Sequence, residues 1–148
     1  MSASGNKFSR EFSWPIRVYY EDTDSGGVVY YANYLKFMER ARTEFLRNSG
    51  FEQNQLKQEQ GILFAVHSLS IQYIKPAVFN DELMITTKIT ATGKASLTFQ
   101  QSIKRFSDNT LICDAEVKIV CLNAEKFLPV AMPEKILTMV EKECGSGN

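Results

Sequence analysis

Glu21, Asp22 and Asp24 crowd with Gly26 and Gly27 into one short stretch, Tyr20-Glu21-Asp22-Thr23-Asp24-Ser25-Gly26-Gly27. Val28-Val29-Tyr30-Tyr31-Ala32-Asn33-Tyr34 follows directly. A carboxylate here could act as a nucleophile, or as a general base toward water. The residues downstream have helical spacing, so the acids stand just ahead of a helix N-terminus. The first four N–H groups of a helix lack intrahelical partners, and the macrodipole adds about half a positive charge there. A carbonyl oxygen turning into an oxyanion is stabilised by such donors, often by ~3 kcal/mol each. Gly26 and Gly27 permit the close backbone approach that this chemistry requires. Read from residues alone, a second interpretation stands beside it: a polar turn whose acids favour the positive end of a helix.

Other chemistries have little to build on. The chain has no G-x-S-x-G elbow, H-E-x-x-H, C-x-x-C, P-loop or G-x-G-x-x-G. His67 is the only histidine, so a two-His metal site is excluded and any triad would have to use it. It falls in a strand pattern, in phase with Leu69 and Ile71, as a structural or interface histidine would. No metal and no cofactor is expected. Cys113, Cys121 and Cys144 are an odd number without a close pair, which reads as reduced thiols of a cytoplasmic protein.

The elements that must position the acids can be read from periodicity. Residues 16–20 form a β-branched and aromatic run, a strand leading into the acidic turn. Residues 31–48 are the best helix: Tyr34, Phe37, Met38, Ala41 and Phe45 make one apolar stripe. Asn33 is placed to cap it, Gly50 to end it, and Arg40 and Glu44 are four apart and can pair. Residues 52–60 are polar. The period then changes to two. Leu69 to Tyr73, Leu83 to Ile89, Leu97 to Ile103 and Cys113 to Ile119 alternate as strands with one buried face. Pro76 with Asn80-Asp81, Gly93, and Ser107-Asp108-Asn109 mark the turns. Pro133 opens a short closing helix over 134–142. In an extended segment Asp22 and Asp24 point to one side. The chemistry needs one carboxylate, so Glu21 and Asp22 are assigned to structure, with Arg17 and Arg42 as candidate partners.

The expected order is strand, long helix, then four strands in an antiparallel run, which gives a two-layer α+β domain with the sheet wrapped around the helix. The 148 residues suit one domain, placed at 14–142 between polar tails at 1–13 and 143–148. Formal net charge is zero, without the Lys/Arg excess of a nucleic-acid or membrane-surface binder. No apolar h-region opens the chain, and no apolar run approaches the roughly 20 residues of a membrane span.

Residues 17–24, then Gly27-Val28-Val29-Tyr30, Asn33-Tyr34 and Glu39-Arg40-Ala41-Arg42-Thr43-Glu44, closely resemble the YbgC-type acyl-CoA thioesterases, hot-dog proteins associated with the bacterial Tol-Pal system. A weaker similarity carries the resemblance over residues 14–140. It implies hydrolysis of a fatty or small acyl-CoA, with Asp24 as the catalytic acid and the backbone N–H of Tyr31 as the oxyanion donor. Gly27 and Val29 of the motif fall to substrate binding. The family's edge-to-edge dimers, often joined into tetramers, imply a homodimer or homotetramer with each site at a subunit interface. Ser96 matches a position of the related 4-hydroxybenzoyl-CoA thioesterases that reaches the thioester from the neighbouring subunit, and Lys94 in the same turn could meet CoA phosphates. YbgC-type proteins usually carry His where this chain has Tyr31; the 4-hydroxybenzoyl-CoA thioesterases carry Tyr. The backbone donor survives either residue, so the departure bears on substrate choice. Acyl-carrier protein is an alternative carrier of the acyl group. Three other readings are a 4-hydroxybenzoyl-CoA-specific thioesterase, a hot-dog dehydratase using His67, and a non-catalytic acyl-carrier or envelope-complex binding partner.

Overall fold

The computed structural model describes residues 11–143. Its elements run β1 (Phe12–Arg17), a single 3₁₀ turn (Tyr20–Asp22), α1 (Tyr31–Asn48), α2 (Gln53–Gln60), β2 (Ile62–Tyr73), β3 (Glu82–Thr92), β4 (Ser96–Arg105), β5 (Leu111–Asn123) and α3 (Glu134–Glu143). The strands make one antiparallel sheet in the order β1-β3-β4-β5-β2. This is the expected α+β arrangement, the sheet curling around α1.

Helix α1 spans the residues that its 3.6-residue period marked. Tyr34, Phe37, Met38, Ala41 and Phe45 are all buried, joined by Leu46. Across from them, Leu83, Ile85 and Ile89, then Leu97, Phe99 and Ile103, then Cys113, Val117 and Ile119 form the inner face of the central strands. The ring of Phe99 meets Phe45 edge-on at 5.8 Å. Truncating Phe37, buried at the middle of this layer, leaves a cavity that the packed sheet cannot close. Phe37→Ala is expected to cost about 3–5 kcal/mol, read as a lower denaturant midpoint at unchanged slope.

The strand run is corrected in one respect. The strand after α2 does not pair with β3; β2 crosses to the far edge and pairs with β5, from Ile62↔Asn123 to Tyr73↔Cys113. It is also longer than its alternation suggested, because its first half is a continuous apolar run. His67 sits at a register shift between Val66 and Ser68 and is exposed, outside the phase of Leu69 and Ile71.

Three local expectations also change. Strand β1 begins at Phe12 and ends at Arg17, since the Asp22 carboxylate accepts the Tyr19 N–H (2.8 Å) and draws Tyr19 and Tyr20 into the 3₁₀ turn. Phe12 and Ser13 therefore belong to the sheet; the rest of the expected tails and Cys144 lie outside the described residues, except Glu11, exposed before β1, and Glu143, the last residue of α3. Pro15 is tolerated because β1 is an edge strand. The polar residues 53–60 fold as α2, capped by Glu52, whose carboxylate accepts the Asn54 and Gln55 N–H groups, and ended by Gly61 at φ 66. Glu44 pairs with Arg47 (3.3 Å) instead of Arg40.

Candidate active site

The acidic stretch folds as a tight hairpin ahead of α1. Thr23 bridges Val29, the Asp24 N–H donates to the Val28 carbonyl (2.9 Å), and the Gly27 N–H returns to the Asp24 carbonyl (2.9 Å). Gly27 lies at φ 84, where a side chain would be strained. Val29, buried, ties the hairpin to the β2–β3 connection by donating its N–H to the Ala77 carbonyl (2.9 Å). The Ala77 N–H in turn donates to the Tyr34 hydroxyl (3.0 Å), so helix, hairpin and connection are locked together.

Asp24 is exposed on this hairpin. Its Oδ1 accepts the Gly26 N–H (2.8 Å), while Oδ2 has no partner among the described residues. A Cβ on Gly26 would stand 3.3 Å from that same Oδ1, so glycine there keeps the carboxylate accessible. Asp22 and Asp24 hold different partners. Asp22 ends the 3₁₀ turn and is bound up in structure: its side chain accepts the Tyr19 N–H, and its carbonyl accepts the Tyr30 N–H (3.0 Å) and Asn33 Nδ2 (2.9 Å). Asn33 is therefore not the cap. Tyr30 holds that position, at φ −64 and ψ 131, without a side-chain hydrogen bond.

The consequence is an open helix start. The N–H groups of Tyr31 and Ala32 donate to nothing among the described residues, while that of Asn33 reaches the Tyr30 carbonyl (2.8 Å). Unpaired donors at the positive end of α1 thus flank the Asp24 hairpin. Beside them lies a cavity of about 260 Å³, lined by Val29, Tyr31, Tyr34, Tyr73 and residues 74–76. Its aromatic wall was not legible in the sequence. Tyr31 packs against Tyr30 (4.8 Å between ring centres) and Tyr73 (6.0 Å). A hydrogen bond with Tyr31, and repulsion between the two phenolates, hold the Tyr30 hydroxyl above its ordinary pKa. Burial does the same for Tyr73.

Arg17 and Arg42 do not pair with Glu21 or Asp22. Arg17 reaches Glu82 (3.7 Å) and the Asn80 carbonyl, and Arg42 donates to Gln101 Oε1 (3.0 Å). The described thiols are inert: burial pushes Cys113 up to about 12, with Asp114 adding to it, and raises Cys121 as well.

Asp24, Gly27, Val29 and Tyr31 are thus brought together, but Ser96 and Lys94 are not. The hairpin is fixed near the Glu82 end of β3, while the Gly93 turn follows its other end, so the two lie roughly 30 Å apart at ~3.3 Å per residue. At that turn the Lys94 carbonyl accepts the Met132 N–H (2.9 Å), and a Cβ on Gly93 would come within 2.6 Å of Ser96 Oγ.

A long helix packed on one antiparallel sheet, with a carboxylate and free N–H donors at the helix start, is a hot-dog arrangement whose groups could serve acyl-transfer chemistry. Comparison with known proteins agrees. The model of the thioesterase superfamily matches residues 26–112. The acyl-CoA thioester hydrolase YbgC of Escherichia coli O6:H1 is 48% identical over 126 residues, 85% of this chain and 92% of that protein. The acyl-CoA thioesterase YbgC of Haemophilus influenzae is 47% identical, covering 84% and 90%. The crystal structure of a probable thioesterase from Bartonella henselae superposes with a TM-score of 0.79 at 35% identity, covering 84% of this chain and 100% of that one. The chain belongs to the thioesterase superfamily and, within it, to the YbgC acyl-CoA thioester hydrolases.

Proposed function

We propose that the chain cleaves acyl-CoA thioesters with Asp24 and the backbone N–H of Tyr31 as its catalytic groups. The observation that carries this is the uncapped start of α1, whose free Tyr31 N–H adjoins the hairpin bearing Asp24. The thioester carbonyl oxygen accepts from Tyr31 N–H. Asp24 attacks the carbonyl carbon, or takes a proton from the water that does. The oxyanion is held at the helix start, the C–S bond breaks, and CoA leaves as thiolate, which takes up the proton released by the attacking water; where Asp24 itself attacks, water then hydrolyses the acyl-aspartyl anhydride, releasing the free acid and restoring the carboxylate. A carboxylate of modest basicity suffices because a thioester is a reactive electrophile with a good leaving group. Gly27 and Val29 shape the approach of the thioester, and the tyrosine-lined cavity takes the adjoining part of the acyl group.

The working unit is a homodimer or a dimer of dimers. Strand β2 is a 12-residue edge with exposed Val66, Leu69 and Tyr73, the kind of edge that natural sheets cover. A second copy paired there supplies the cover, and Ser96 and Lys94 then reach a site from the neighbouring chain. The enzyme works in the cytoplasm, in keeping with its free described cysteines. Among the described residues no helix is long and apolar enough to cross a membrane.

The test is thiol release from short, long-chain and aromatic acyl-CoAs, and from acyl-loaded carrier protein, alongside the mass in solution. Release with a dimer or tetramer mass is the expected result. A folded protein that releases no thiol from any of them is a binding partner and not this enzyme.

A further inference from the structure

A second cavity is larger than the one beside Tyr31. A semi-enclosed space of about 450 Å³ lies between α1, α2 and the inner side of β2 and β5, with Leu35, Leu46, Phe64, Leu69 and Val117 among its apolar walls. Both cavities draw wall residues from α1 and from β2. Tyr31, Leu35, Arg42 and Leu46 fall at i, i+4, i+11 and i+15, one face of α1. Strand β2 runs alongside, from Tyr73 against the Tyr31 ring to Leu69 and Phe64 on the larger space.

Arg42 is anomalous in this wall. It is largely withdrawn from solvent, and no carboxylate stands within 4 Å of it among the described residues. Its one acceptor is Gln101 Oε1 (3.0 Å). Gln101 is itself fully buried and fixed by donating to the Met38 carbonyl (3.0 Å) and Thr87 Oγ1 (2.9 Å). The guanidinium is therefore aimed by a buried network that spends one of its five N–H donors. The other charged residues on the cavity, Lys36 and Glu39, are exposed at its rim. Burial presses the Arg42 pKa below its ordinary value, and the charge of Glu39 only partly restores it. A desolvated cation without an anion is costly, and a planar fork is shaped for a carboxylate.

We propose that Arg42 is a specificity residue that receives a carboxylate at the free end of the acyl group, so that the enzyme favours acyl-CoAs ending in COO⁻ over those ending in CH₃. This rests on the acyl-CoA reading and on an acyl group that follows the shared face of α1 from the smaller cavity to the larger. Eleven residues separate Tyr31 from Arg42, ~16 Å along the helix, and the Arg42 side chain leans back toward the N-terminus. A chain of roughly six to ten carbons spans the remainder.

The test compares acyl-CoAs of equal length ending in carboxylate or methyl, on wild type, Arg42→Met and Arg42→Lys. The readout is the ratio of kcat/KM for the two ends. In the wild type the ratio favours the carboxylate, and Arg42→Met lowers it by about 10- to 100-fold. Arg42→Lys, which keeps the charge but loses the fork, falls between. Calorimetric binding of non-hydrolysable CoA thioethers with the same two ends decides the matter without turnover, so it is separable from failure of the thioesterase reading. Tighter binding of the carboxylate-ended thioether by wild type but not by Arg42→Met supports the proposal. A wild type that binds or hydrolyses both ends alike overturns it. So does an Arg42→Met variant that keeps the wild-type ratio. If both ends are treated alike and Arg42→Met falls apart into monomers, Arg42 instead meets an acid of a neighbouring copy.

Discussion

Asp24→Asn is expected to lower kcat for acyl-CoA hydrolysis by about 10³-fold, with thermal unfolding unchanged within a few degrees. The substitution suits the local geometry. The Asp24 carboxylate accepts one hydrogen bond through Oδ1, from Gly26 N–H, and the amide oxygen of Asn can accept the same bond. The backbone bonds that close the hairpin, Asp24 N–H to Val28 and Gly27 N–H to Asp24, do not involve the side chain. What is lost is the free Oδ2 and the negative charge, which both catalytic roles require. An amide neither attacks a thioester nor takes a proton from water. Binding of acyl-CoA is expected to persist, so the loss appears in kcat more than in KM. A folded Asp24→Asn enzyme turning over at the wild-type rate would remove Asp24 from the mechanism. The parallel substitution Asp22→Asn is expected to act differently, through stability, because Asp22 holds the Tyr19 N–H.

That contrast between two acids two residues apart shows what the sequence could and could not convey. Their type and place before a helix were legible, because a 3.6-residue stripe marked α1 and its start fixed where free donors would lie. The alternation of β3, β4 and β5 was equally legible, since β3 and β4 bury every second residue and β5 does so from Cys113 to Cys121. Partner choice was not. Whether Asp22 points with Asp24 depends on one hydrogen bond to Tyr19, which turns an extended segment into a 3₁₀ turn. Arg42 finds Gln101 at a separation of 59 residues, and no local spacing reports that. The place of β2 at the sheet edge is likewise a matter of topology: alternation says that a strand exists, not which neighbour it pairs with. Helix α2 escaped because only Leu56 is buried in it, so no apolar stripe could appear; Glu52 and Gly61 at its ends were the available signals. Tyr34 was read as core and does lie there, but its hydroxyl also receives the Ala77 N–H, and its side chain lines the cavity beside Tyr31. Side chains with one apolar and one polar end serve both purposes, and periodicity detects only the first.

The proposed oxyanion donor is a backbone group, so the informative variant is one that deletes an N–H. Tyr31→Pro does this with little structural penalty. Tyr31 is the first residue of α1, where proline is well tolerated because its missing N–H is unpaired anyway. The residue before a proline must be extended, and Tyr30 already is, at ψ 131. Stability is therefore expected to hold or rise by about 0.4–1 kcal/mol. Activity is expected to fall by about 10²–10³-fold relative to Tyr31→Ala. Tyr31→Ala is the proper reference because both variants lose the ring and its packing on Tyr30 and Tyr73, and only the proline lacks the donor. Tyr31→Ala itself reports the ring: a change in acyl preference with kcat largely kept fits a residue that lines the cavity. Equal activity of Tyr31→Pro and Tyr31→Ala would mean that the thioester carbonyl does not dock on this N–H. The donor would then have to be that of Ala32, the other free N–H at the helix start. A loss confined to Tyr31→Pro would place the oxyanion at the positive end of α1, next to the hairpin that carries Asp24.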